Sequence, residues 1–270
     1  MKILLVDDRQ PRSRAGGAAL YVPQLAPALA DEHRVAVVTV QPRALHVPRT
    51  ARAIQRAIAA ERPDLVHLNN LAGVSLGAVL WAVGDRTPLA ISLHDYRLVT
   101  EPVASNRWLT GRVGLVISPS HYLLEKHLSR GFFRHALQRV LPYGIEPGVT
   151  ETAAVRDPYV FRADWPEPFP VRIQEALQLG RVVIASRVGG IPEMIRDGVN
   201  GLLVEPGNEA ALAEAIQRVQ KSPELAARLR AAALETARLY DMRFHIAHLS
   251  DAYRQLLNAY RAGDLDRPAA

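Results

Sequence analysis

The feature that most restricts the fold is a repeated alternation: short β-branched runs at residues 2–6, 34–40, 64–68, 89–93, 114–118 and 139–141 are separated by stretches of helical pattern. Helical periodicity falls near residues 17–30, 50–60, 71–83 and 121–129. Strands that alternate with helices cannot close as hairpins, so they pair in parallel, with the helices covering the sheet. The first half of the chain is therefore expected to be a complete doubly wound α/β domain. From residue 143 to 170 the pattern gives way to Gly144, Pro147, Gly148, Pro158, Pro166, Pro168 and Pro170, the composition of a linker. The second half is expected to hold a helix at 171–179, strands at 182–185 and 201–204, a short helix at 191–196, and closing helices at 208–220, 223–239 and 243–262. The expected layout is thus a domain over 1–145, a linker over 146–166, a shortened second domain over 167–262 and a tail over 263–270.

Of the 270 residues, 49% are hydrophobic and 22% charged, enough apolar material for one large or two small cores. The chain has no cysteine, which removes disulfides, a thiolate nucleophile and sulfur-ligated zinc, and suits a cytoplasmic setting. The apolar run at residues 71–84 is shorter than the ~20 residues of a membrane span. Charge is unevenly placed. Residues 1–145 carry 18 Lys and Arg against 10 Asp and Glu, whereas residues 146–270 carry 15 against 17. A basic first half can face an anionic partner. Its densest part, residues 121–139, interleaves Lys126, Arg130, Arg134 and Arg139 with Phe132 and Phe133. That segment reads either as a peripheral contact with an anionic membrane or as a solvated helix face beside two core aromatics. No nucleic-acid recognition motif accompanies the charge.

Several clusters could carry chemistry. Asp7-Asp8 after an apolar strand would suit a phosphate-receiving regulator, but the third strand ends Leu68-Asn69-Asn70, and Lys126 is the sole lysine between Lys2 and Lys221. The required set of roles is missing. Gly16-Gly17 before a helix reads as an anion-binding turn or simply as a tight turn. His94-Asp95 stands after a strand, where open α/β sheets bind ligands. There the pair reads either as an oriented imidazole or as a cap on the next turn. The densest series begins at Glu167-Pro168-Phe169-Pro170-Val171-Arg172 and reaches Glu175, eight positions after Glu167 and inside the following helix. Carboxylates so placed can accept paired hydrogen bonds from the vicinal hydroxyls of ribose or a sugar. Next come a strand, Gly189-Gly190-Ile191-Pro192-Glu193 and Asp197-Gly198-Val199-Asn200-Gly201.

In its order, this series resembles the donor-binding half of retaining family 4 glycosyltransferases of the GT-B fold. The likeness extends to Gly16-Gly17, the strand at 63–67, Leu93-His94-Asp95 and Pro142-Tyr143-Gly144-Ile145. The resemblance implies a GT-B-like α/β fold, with one complete Rossmann-like domain and a truncated second one. It also implies sugar transfer from a nucleotide-sugar donor to a sugar, lipid or small-molecule acceptor, with retention of configuration and without a metal or other cofactor. By the same resemblance, His94 and Glu167 would be catalytic, and Gly16, Gly17, Phe169, Pro170, Val171 and Glu175 would bind the donor. A cytoplasmic protein follows, peripheral on the inner face of the membrane and able to form homo-oligomers.

The chain also departs from the family. Between Ile145 and Glu167 it has about twenty residues where the family has several strands, and no G-R-x-x-x-x-K loop occurs. In the family that loop neutralises the leaving diphosphate; here Arg172 and Arg187 are the candidates for the task. Two alternatives to transfer stay open: a non-catalytic nucleotide-sugar binding or partner protein, and a nucleotide-sugar epimerase.

Overall fold

The computed structural model describes residues 1–8, 18–40, 47–69, 75–100, 104–146 and 157–263. They form two compact units: Met1–Pro119, Leu123–Leu141 and Ile246–Ala270 make the first, and Ser120–Tyr122 with Pro142–His245 the second.

The first unit is built on six parallel strands, β1 (Lys2–Asp8), β2 (Arg34–Val40), β3 (Leu65–Leu68), β4 (Leu89–Ser92), β5 (Leu115–Ser118) and β6 (Leu137–Val140), in the order β2-β1-β3-β4-β5-β6. The order reverses between β1 and β3, the kind of switch point beside which doubly wound sheets bind ligands. Register runs Leu4 with Ala36 and Val66, Ile91 with Val116, and Ile117 with Arg139. Every residue of β3, β4 and β5 is buried, as expected for central parallel strands covered on both faces. The edge strand β6 is half-exposed and tolerates Gln138 and Arg139, so its apolar signal is weak. It begins two residues earlier than the strand expected at 139–141.

The connecting helices are α1 (Ala18–Ala30), α2 (Val47–Glu61), α3 (Leu76–Val83), α4 (Arg97–Thr100), α5 (Ala104–Leu109) and α6 (His121–Leu128). Helix α1 contains Pro23 and Pro27, each lacking the N–H a helix uses. They stand four apart on the exposed side, while Tyr21, Val22, Leu25 and Leu29 bury the other. The core gathers Leu4, Val6, Ile54, Leu68, Ile91, Val116, Phe132 and Phe133. Phe132 and Phe133 are therefore core residues, and of the four Lys and Arg side chains of the basic segment Lys126, Arg130 and Arg134 are exposed and Arg139 is half-buried. Of the two readings of this segment, the one with two core aromatics describes Phe132 and Phe133.

The second unit has a parallel sheet in the order β7 (Tyr159–Phe161), β8 (Val183–Ser186), β9 (Leu202–Val204). Strand β7 lies inside the segment expected to be linker. It is three residues long and directly follows Pro158, too short to show a period, and Tyr159 N–H donates to Val182 O at 2.8 Å. With it the sheet has three strands rather than two. Helices α7 (Val171–Gln178), α8 (Ile191–Met194), α9 (Glu209–Lys221) and α10 (Pro223–Ala237) follow the expected positions closely. The core of this unit joins Val182, Ile184, Leu202, Val219, Leu225 and Leu229. The last helix, α11 (Met242–Ala262), is shared: from Ile246 onward it packs in the first unit, through buried Leu249, Tyr253 and Leu256.

Candidate functional site

In the second unit, a turn at Glu167-Pro168 is gripped by the glycine loop after β8. Gly190 N–H donates to Glu167 O at 2.8 Å, and Ser120 Oγ donates to Pro168 O at 2.8 Å. A methyl group on Gly189 would sit 2.2 Å from Glu167 O, and one on Gly190 2.0 Å from Pro168 O. Both distances are far inside van der Waals contact with backbone, so no larger side chain fits at either position. Gly189 also has φ +62°, where a side chain strains the backbone. The paired glycines are thus required by the close approach of two backbone segments.

Behind the turn, Phe169 is buried edge-on between Tyr143 and Tyr240, at 5.9 and 6.0 Å between ring centroids. Pro170 is the N-cap of α7 and offers no side-chain acceptor; Ile173 N–H turns back to Pro170 O at 3.0 Å, and no side-chain cap closes the amides of Val171 and Arg172. The helix dipole and these amides favour a negative group there. Gln174, fully buried on α7, donates to Tyr143 O at 2.8 Å and anchors the helix to residues 142–145.

Glu167 and Glu175 are both half-buried, and burial raises each carboxyl above its usual 4.5. For Glu175 the nearby charge of Arg172 opposes the rise. The turn fixes the backbone of Glu167 just before α7, and Glu175 stands about a turn into the helix. Both retain exposed surface, as groups that accept hydroxyl hydrogens from a ligand must. Arg172 is exposed in the first turn of α7, next to Val171 and near enough to Glu175 for its charge to act there. Arg187 is differently placed: it pairs with Asp197 and Glu205, each at 3.1 Å, so two carboxylates already match its charge.

The remaining polar residues of the series bond to the protein's own backbone and side chains. Glu193 accepts hydrogen bonds from the backbone N–H of His121 and Tyr122, both at 2.7 Å. Asp197 accepts from Leu203 N–H at 2.9 Å, and Asn200 binds Arg196 N–H, Met194 O and Thr236 Oγ1. These bonds fold the loop between α8 and β9. A methyl group on Gly201 would lie 2.8 Å from Val183 O.

In the first unit, His94 follows β4; the residue keeps some exposed surface but its ring nitrogen Nε2 is buried, and the ring stands 5.2 Å from that of Tyr21. Burial pushes its imidazole down to about 3, so it is neutral near pH 7 and can act as a hydrogen-bond donor or acceptor. Asp95 does not orient it. Its Oδ1 accepts from Arg97 N–H at 2.9 Å and its Oδ2 pairs with Arg97 Nε at 3.1 Å, so Asp95 starts α4. Of the two readings of His94-Asp95, the cap describes the aspartate. Gly16 and Gly17 lie outside the described residues. Among the described residues, no three His, Asp or Glu side chains converge as a metal site requires, and no helix is long and apolar enough to cross a membrane. Sequence reasoning missed Ser120, which holds Pro168 from 48 positions away, and the buried polar residues around Tyr21. A serine carries no signal of such a distant contact.

Comparison with known proteins gives a consistent result. Residues 15–149 match the model of glycosyltransferase family 4, and residues 149–236 match that of the glycosyl transferases group 1. Over 100 residues the chain is 37% identical to the D-inositol 3-phosphate glycosyltransferase of Saccharomonospora viridis, a stretch covering 37% of this chain and 23% of that protein. In fold it resembles the Anabaena protein HepE, solved in complex with UDP-glucose (TM-score 0.75, 19% identity, 94% of this chain and 100% of that one). It also resembles sucrose-phosphate synthase from Thermosynechococcus elongatus (TM-score 0.76, 18% identity, 96% of this chain and 99% of that one).

Proposed function

We propose a function that starts from kinship: the chain belongs to glycosyltransferase family 4. In this proposal it transfers a sugar from a nucleotide-sugar donor to an acceptor hydroxyl, retaining the anomeric configuration. The bond from the anomeric carbon to the donor phosphate breaks, the nucleoside diphosphate leaves with the bonding electrons, a bond to the acceptor oxygen forms on the same face, and the acceptor proton passes to the departing phosphate oxygen. Glu175 takes the ribose hydroxyls and Glu167 those of the transferred sugar. The donor lies against Phe169, Pro170 and Val171, with its diphosphate at the N-terminus of α7. Arg172 supplies positive charge there, and Gly16-Gly17 are assigned to the donor by the family resemblance alone. His94, neutral, hydrogen-bonds the reacting sugar. No metal takes part, so activity is expected to survive a chelator.

The observation that carries the proposal is the gripped Glu167-Pro168 turn: two glycines with no room for a methyl group hold the backbone that bears one carboxylate immediately before a helix that bears the second. Preorganised polar groups of this kind are what a transfer site needs, because they cost no rearrangement when charge develops. UDP-glucose is the first donor to test, because HepE is solved with it. A second reading, donor binding without turnover, is favoured by one observation: Arg187 is already matched by two carboxylates, leaving Arg172 as the candidate cation on α7.

The test is a donor panel. A nucleotide sugar at a hundredfold its Kd is expected to stabilise the chain by about 2.7 kcal/mol, and Glu175→Ala to abolish the shift. Stabilisation without nucleotide release would select the binding reading, and no stabilisation by any donor would remove both. The anomeric configuration of the product, read by NMR, tests retention.

A further inference from the structure

The first unit contains a buried polar chain that the proposed transfer does not use. His67, on β3, is fully buried, and both its ring nitrogens are engaged: Nδ1 with Tyr253 Oη at 2.6 Å and Nε2 with Ser92 Oγ at 2.8 Å. Tyr253, on α11, is also fully buried, and its ring stands edge-on to the imidazole at 5.6 Å. Ser92 closes β4 and shares a further hydrogen bond with the hydroxyl of Tyr21, on α1. Tyr21 in turn stands 5.2 Å from the ring of His94, two residues beyond Ser92. Four elements thus contribute one residue each to a continuous path that ends at His94.

The chemistry of the path makes it directional. A neutral imidazole has one N–H and one lone-pair nitrogen. Whichever nitrogen of His67 carries the hydrogen therefore decides which way the hydroxyl hydrogens of Tyr253 and Ser92 point. Ser92 passes that choice to Tyr21. A purely structural filling of this space would be apolar, since each buried polar group must be satisfied and hydrogen bonds repay that need only modestly. Burial keeps Tyr253 and Tyr21 protonated, so the path works through orientation and not through charge.

We propose that Tyr253, acting through His67, Ser92 and Tyr21, is a positioning residue for His94: the hydrogen-bonded path fixes the Tyr21 ring against which His94 is set. The proposal rests on the role given to His94 in sugar transfer. It adds that the last helix of the chain helps to set the geometry of that histidine.

The experiment uses the full chain labelled with 15N-histidine, with ring signals assigned from His67→Gln and His94→Gln. Tyr253→Phe removes one hydroxyl and keeps the ring; Ser92→Ala interrupts the path further along and serves if the first variant fails to fold. In the wild type His67 is expected in a single tautomer. In either variant the signals of both His67 and His94 are expected to shift, and kcat for transfer to fall about tenfold, the scale of one hydrogen bond, at unchanged donor KM. His94 signals that stay in place while those of His67 move, or an unchanged kcat, would overturn the proposal. If the wild type turns over no donor, the transfer reading fails, and the spectra alone decide whether the path reaches His94.

Discussion

Glu167 and Glu175 hold their carboxyls in partly desolvated positions, and that has a measurable cost. Because burial raises both above 4.5, the folded chain binds these protons more tightly than the unfolded chain. The stability they contribute is therefore greatest below 4.5 and declines as pH rises through the folded values. Glu167→Gln and Glu175→Gln are expected to melt at or slightly above the wild-type temperature at pH 7 while losing transfer, a separation of stability from function that calorimetry and a rate assay would show together. His94 has the opposite sign. Its folded value of about 3 lies below the ordinary 6.5, so the unfolded chain takes up a proton that the folded chain does not. Its contribution is present above 6.5 and is lost on acidification towards 3, and His94→Gln should flatten the acid limb of a pH–stability curve over that range. For the two arginines, Arg172→Ala is expected to weaken donor binding by about tenfold, the scale of a charge-assisted hydrogen bond. Arg187→Ala should weaken it less, because Asp197 and Glu205 already hold that guanidinium. Titration calorimetry with UDP-glucose would compare them.

The loop after β8 and the turn before α7 behave as one built piece. Gly190 has an ordinary backbone conformation, so Gly190→Ala tests the close approach alone: the added methyl would meet Pro168 O at 2.0 Å. It is expected to cost about 3 kcal/mol in urea unfolding, in the range of overpacked sites. The Glu167 to Gly201 series was legible because its residues are close in sequence and each has a narrow physical use: glycines where no Cβ fits, carboxylates at fixed helical spacing. The central strands were legible because burial on both faces leaves short, mostly apolar runs, broken in β3 by His67 and ended in β4 and β5 by serine. What could not be read depends on distance along the chain. His67 meets Tyr253 from 186 positions away, and no local pattern marks either as polar core. Strand β7 escaped because three residues after a proline show no period. Asp95 was ambiguous beside His94 until Arg97 was seen to claim both its oxygens.

The molecule as a whole joins a six-stranded and a three-stranded parallel unit, and its final helix contributes to both. The basic excess lies in the first half of the chain, and in the segment once open to a lipid reading the exposed cations are Lys126, Arg130 and Arg134. Since Phe132 and Phe133 are core residues, any contact with anionic lipid proposed for this face is electrostatic. Binding to phosphatidylserine vesicles should fall steeply between low and physiological salt, and equal binding to neutral vesicles would reject the proposal. The segment between Ile145 and Glu167 supplies a strand to the sheet that carries the glycine loop. The central claim, that this sheet and α7 present a working donor site, is tested most directly by the rate of nucleotide release from a panel of nucleotide sugars, UDP-glucose first. Release well above the uncatalysed rate by the wild type, reduced at least about a hundredfold by Glu167→Gln as expected for loss of a transition-state contact, is the predicted result. Release that Glu167→Gln and Glu175→Ala leave unchanged would contradict it.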